Sequence, residues 1–191
     1  MDERSIDSSR QENQKQPGFW SEIIKFTLIT LLIVVPFRLY IAQPFIVSGA
    51  SMDPTFADGD YLIVDQISKD FTQPGRDSVV IFKYPKDPSK YFIKRIIGIP
   101  GDTVEIKDGI VILNGKSLTE PFVDDANKKS ENMSEIKLKP KEYFVLGDNR
   151  SGSFDSRSWG VVTENLIIGR PLVRLLPVPK FNILPGDYSA H

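Results

Sequence analysis

The chain has 191 residues, 24 of them basic and 25 acidic, for a formal net charge of −1. That balance supplies no basic field for nucleic acid, so no nucleic-acid partner is expected. There is no cysteine, which excludes disulfide scaffolds, cysteine nucleophiles and thiolate zinc sites; the one histidine is His191, at the end of the sequence, which argues against a Ser-His-Asp triad or a histidine metal cluster.

Residues 1–22 are polar and charged over most of their length and read as a cytoplasmic tail, with Phe19 and Trp20 suited to a membrane interface. The run Ile23 to Ile41 is strongly apolar, interrupted by Lys25, Pro36 and Arg38. These two cations lie roughly 20 Å apart along a helix at ~1.5 Å per residue, and both side chains can snorkel outward to lengthen the span. We therefore expect one transmembrane anchor at 23–41. A cleaved signal peptide is the competing reading, because Ser48-Gly49-Ala50 has the small-residue look of a cleavage site; the length of the run and the intervening Arg38 and Pro44 weigh against it. Arg10, Lys15 and Lys25 place the N-terminus on the cytoplasmic side, so residues 42–179 are expected to form an extracytoplasmic domain of the cell membrane, followed by a tail at 180–191.

Beyond Asp60 the pattern is β. Tyr61 to Val64, Ser78 to Phe82 and Tyr91 to Ile97 are short runs rich in β-branched and aromatic residues. Thr103 to Ile106 alternates, turns at Asp108-Gly109 and resumes as Ile110 to Leu113 before Asn114-Gly115, the pattern of consecutive hairpins. Residues 119–137 are polar and read as a surface excursion. Tyr143 to Leu146 is another strand, and Leu166 to Leu176 can hold one more. The expected fold is mainly β, with antiparallel sheets folded into a barrel-like domain behind a single N-terminal helix.

Three stretches carry chemistry. Ser51 follows Gly49-Ala50 and precedes a proline turn, a setting in which a substrate backbone can approach closely; an ordinary turn serine or helix cap would look the same. Lys94 alternates with Phe92 and Ile96 on one strand face, where burial would lower its pKa enough to accept a serine proton; a solvated edge lysine is the alternative. Arg95 falls on the opposite face, with no evident reason to be buried. The run Gly147 to Gly160 crowds hydrogen-bonding side chains after an apolar strand, and Asp155 with Arg157 can form an ion pair that fixes the loop. The aspartates at 53, 58, 60 and 65 lack the order of a calcium loop.

Taken together, Ser51-Met52-x-Pro54-Thr55, the box Lys94 to Asp102, and Gly147-Asp148-Asn149 with Ser153-x-Asp155-Ser156-Arg157 and Trp159-Gly160 resemble, in order, the motifs of the type I signal peptidases, the membrane-anchored Ser–Lys peptidases of bacteria. The resemblance runs from Ile23 to about Pro179. It implies that Ser51 attacks the scissile carbonyl of a secretory precursor and that Lys94, neutral when active, is the general base. Ser153 then orients the Lys94 amine, and Asp155 and Arg157 form a structural ion pair beneath the site. It further implies no metal or cofactor, precursor substrates with small residues at −1 and −3, and an apolar surface that meets membrane lipid. One departure is Gly49, which stands where some members carry a serine as second oxyanion donor; Ser48 is one residue further away, so a backbone N–H would have to replace that donor. The rival readings are a non-catalytic, membrane-tethered β-domain that scaffolds envelope proteins, and a repressor-type autoprotease, which the anchor and the lack of a DNA-binding segment disfavour. No oligomeric state is legible.

Overall fold

The computed structural model describes residues 18–36, 42–128 and 131–187. The chain divides into two units, Met1–Pro36 and Phe37–His191. The first contributes helix α1 (Phe19–Pro36), 18 residues long, or about 27 Å at ~1.5 Å per residue. It begins four residues before the apolar run, so Glu22 lies in its first turn and Lys25 in its second. Among the described residues no helix is long and apolar enough to cross a membrane. Residues 37–41 of the expected anchor, like 1–17 of the expected tail, lie outside the described residues.

The second unit is built from strands β1 (Ala42–Ile46), β2 (Tyr61–Asp65), β3 (Val79–Tyr84), β4 (Asp87–Gly98), β5 (Thr103–Lys107), β6 (Ile110–Leu113), β7 (Lys116–Ser117), β8 (Met133–Lys137), β9 (Glu142–Leu146), β10 (Val162–Thr163), β11 (Ile167–Leu176) and β12 (Asn182–Ile183), with short helices α2 (Ser68–Phe71) and α3 (Ser156–Trp159). Eight strands form one antiparallel sheet in the order β1-β2-β11-β3-β4-β9-β10, with β12 on β11, and β7-β6-β5-β8 form a second. Asp108-Gly109 and Asn114-Gly115 all have positive φ, as their turns require.

The barrel-like expectation is corrected: the large sheet is folded but open, since among the described residues β1 and β10 at its ends each pair with a single neighbour. Register shifts in β11 and β4 bend the sheet without bringing its edges together. Strand β1 was not anticipated because Pro44 interrupts it. Proline is tolerated there because β1 is an edge strand.

Central strands β3, β4 and β9 are covered on both faces. Val80, Phe82, Ile96, Tyr143, Val145 and Trp159 pack in one core cluster, and Ile97, Phe144, Leu146, Val104 and Val111 in another shared with the small sheet. Gly98 permits this second contact, because a Cβ there would lie 2.7 Å from both Leu138 and Val104. A third cluster of Val47, Met52, Phe56, Leu62 and Val79 underlies the Ser51 turn. Two further expectations change. The 119–137 stretch is not wholly a surface excursion: Phe122 and Val123 are buried and β8 pairs with β5, while residues 129–130 lie outside the described residues. Residues 182–183, expected in the tail, add β12 to the large sheet; 188–191, including His191, lie outside the described residues.

Candidate active site

Ser51 lies on the turn that follows β1. Met52 and Phe56 are completely buried in the cluster beneath it, so the turn is anchored by its apolar side chains. That leaves Ser51 lining a groove of about 310 Å³. Lys94 enters the same groove from β4, whose alternation sends residues 92, 94 and 96 to one face. The Lys94 Nζ donates to Ser51 Oγ at 2.7 Å and to the Ile93 carbonyl at 2.9 Å. The side-chain alternation thus predicts correctly which face Lys94 takes, although its two partners were not both foreseen.

Lys94 is 4% exposed. Burial lowers its pKa from 10.5 to about 8; the carboxylates of Asp155 and Asp148 pull it back up, and the Arg157 guanidinium adds a push downward. Phe92 covers one side, with its ring centroid 5.6 Å from Nζ. Roughly a tenth of this amine is therefore neutral at pH 7, against a few parts in ten thousand for an ordinary lysine, and able to take a proton from a hydroxyl 2.7 Å away.

Arg95 overturns the expectation of an exposed side chain. It is fully buried and donates in bidentate fashion to Asp148, Nε to Oδ1 at 2.9 Å and Nη2 to Oδ2 at 2.6 Å, while Nη1 donates to the carbonyls of Asp77 and Gly186. Its strand is covered on both faces, so a residue opposite Lys94 is as enclosed as Lys94 itself. The Thr55 hydroxyl donates to Asp148 at 2.5 Å, which ties the Ser51 turn to this pair. Sequence reasoning missed Thr55 and Asp148 as partners of Arg95; their appearance inside the same motifs was the available signal.

The loop after β9 holds the Ser51 segment from the other side. The Asn149 backbone N–H donates to the Ser51 carbonyl at 3.2 Å, and its Nδ2 to the Ala50 carbonyl at 3.1 Å. Gly147 lies so close that a Cβ on it would sit 2.3 Å from the Ser51 carbonyl oxygen and 2.2 Å from Ser153 Oγ. Asp155 caps α3 and accepts from Arg157 Nε and Nη2, both at 2.7 Å, and from the Gly147 N–H at 3.1 Å. Asp155 and Arg157 thus come together as the sequence suggested. Ser153 does not reach Lys94: its Oγ is buried with no hydrogen-bond partner among the described residues. At the departure noted above, the Gly49 N–H is taken by Asp58 Oδ1 at 2.7 Å, whereas no acceptor among the described residues takes the Ser51 N–H.

A folded β-sheet unit that presents a serine hydroxyl to a buried, partly neutral amine has the chemistry of a serine–lysine hydrolase. Residues 20–176 match the family described as signal peptidase, peptidase S26, and the chain belongs to that family. It is 34% identical over 187 residues to the probable signal peptidase I-2 of Synechocystis, covering 95% of this chain and 84% of that one. It is 32% identical over 169 residues to the signal peptidase I of Bacillus licheniformis, covering 84% of this chain and 89% of that one. A crystal structure of a signal peptidase I from Enterococcus faecalis superposes with a TM-score of 0.46 at 30% identity, covering 52% of this chain and 97% of that one.

Proposed function

We propose that the chain is a serine endopeptidase that removes N-terminal signal peptides from secretory precursors, with Ser51 as nucleophile and Lys94 as general base. The observation that carries this is the 2.7 Å contact between Ser51 Oγ and a buried Lys94 whose pKa falls to about 8. The membership of the family and its signal peptidase relatives support the substrate class.

In this reading the neutral Lys94 takes the Ser51 proton as Oγ bonds to the scissile carbonyl carbon. The oxygen that becomes negative is stabilised by the Ser51 N–H. Collapse breaks the C–N bond, and the Lys94 ammonium returns its proton to the leaving amine, which gives an ester on Ser51. Lys94 then deprotonates a water that attacks the ester, and the second collapse restores Ser51 with its proton. Ser153 orients Lys94 after a rotation of its hydroxyl toward the amine. The Asp155–Arg157 pair holds the loop that carries Ser153. The apolar lining of the groove, including Ile46, Val47, Ala50 and Ile93, supports small apolar side chains at −1 and −3. The 23–41 segment, whose described part lies in helix α1 with its exposed Leu, Ile and Val side chains, anchors the chain at the membrane with the N-terminus cytoplasmic and the β-unit outside.

The test is cleavage of a precursor with an Ala-x-Ala site in detergent. Wild type should cut after the residue at −1, and Ser51→Ala and Lys94→Ala should not, with circular dichroism unchanged. Cleavage by either variant at wild-type rate would overturn the assignment.

A further inference from the structure

We propose that Glu120 and Arg150 are positioning residues, a buried clamp through which the small sheet holds the Ser51 segment in register with Lys94. The inference rests on the Ser51–Lys94 reading above and extends it to residues on neither reacting group.

Glu120 follows β7, at the end of the small sheet, and lies far from Ser51 in sequence. Arg150 lies in the loop after β9, directly after Asn149. Its guanidinium donates Nη1 to Glu120 Oε2 at 2.8 Å and Nη2 to Oε1 at 2.6 Å, with the two side chains 1% and 11% exposed. Its Nε donates to the Gly147 carbonyl at 3.0 Å, and its own carbonyl accepts from Arg157 Nη2 at 2.8 Å. Arg150 is thereby held at the side chain by the connection between two strands of the small sheet, β7 and β8, and at the backbone by the Asp155–Arg157 pair. The two residues it fixes, Gly147 and Asn149, are the ones packed on or bonded to the backbone of Ala50 and Ser51. The same 119–127 segment lays Phe122 under Arg95, whose guanidinium lies 4.1 Å from the ring centroid. One stretch of the connection between β7 and β8 therefore contacts both arginines that brace the Ser51 turn.

A buried ion pair is a poor source of net stability compared with apolar groups of like volume, but a precise means of fixing geometry. A small displacement of a reacting group can cost roughly a hundredfold in rate. The clamp should accordingly matter more for turnover than for folding.

The experiment uses the full chain in detergent with an Ala-x-Ala precursor. Glu120→Ala leaves Arg150 buried and uncompensated and can fail to fold, so the deciding variant is Glu120→Leu combined with Arg150→Met, which removes both charges. This double variant should recover the Tm of wild type within a few degrees. Its kcat should stay at least tenfold low while KM changes less than threefold. Its acid limb should move to higher pH by roughly half a unit, because a loosened loop lets water reach Lys94 and weakens the effect of burial. Full recovery of kcat with an unshifted profile would reduce the pair to a structural one and overturn the proposal. Hydrogen exchange at the Asn149 amide reads the clamp without activity: at least tenfold faster exchange in the folded double variant supports it, and unchanged exchange contradicts it. If wild type itself cleaves nothing, the peptidase reading fails while the exchange measurement still decides the clamp.

Discussion

At the residue scale the protein turns on one amine. Lys94 has a folded pKa near 8 against an ordinary 10.5, so the active neutral form is lost as pH falls through about 8. We expect log kcat/KM to fall with unit slope below that pH in a precursor-cleavage assay, and a profile flat down to pH 5 would contradict the role. The same shift has a sign for stability. A lysine whose folded pKa is depressed binds fewer protons when folded, so its penalty is complete below about pH 8 and is relieved as pH rises toward 10.5. Lys94→Met should therefore be inactive yet more stable at pH 7, by up to about 3 kcal/mol at ~1.4 kcal/mol per pKa unit. The gain in thermal unfolding should shrink between pH 8 and 10. Ser153 offers a second test: its Oγ makes no hydrogen bond here, so Ser153→Ala should leave Tm within about 1 °C while lowering kcat. An unchanged kcat would remove Ser153 from the mechanism.

At the element scale the site depends on close approach between the turn after β1 and the loop after β9. Gly147→Ala would place a Cβ 2.3 Å from the Ser51 carbonyl oxygen, backbone that has no flexible end to yield. We expect a loss of roughly a hundredfold or more in kcat, measured against the same precursor, with the β-sheet circular dichroism retained. Much of this level was legible beforehand. The hairpins around Asp108-Gly109 and Asn114-Gly115 follow from turn chemistry, and the alternation of β4 assigns Lys94 to its face. Arg95 was not legible, because period-2 alternation says which face a residue takes and not whether that face is covered. Nor was Glu120, whose polar neighbourhood reads as surface until Arg150, far away in sequence, closes over it. Strand β1 was hidden by Pro44, which only an edge position permits.

At the scale of the whole molecule, the β-unit holds every residue of the candidate site, and helix α1 contributes exposed apolar surface at Phe26, Leu28, Leu32 and Ile33. If α1 serves as an anchor, deletion of residues 1–36 should leave the β-unit folded but abolish its flotation with liposomes, whereas flotation equal to that of the full chain would assign membrane binding to the β-unit. The open sheet, rather than a closed barrel, leaves β1 at an edge, paired among the described residues with β2 alone, shortly before the Ser51 turn. The central claim, that Ser51 and Lys94 form the proteolytic pair, is tested most directly by cleavage of an Ala-x-Ala precursor by wild type, Ser51→Ala and Lys94→Arg across pH 5 to 10. Cleavage by wild type alone, rising through about pH 8, is the predicted result. Cleavage by Lys94→Arg, whose guanidinium stays charged over that range, would contradict it.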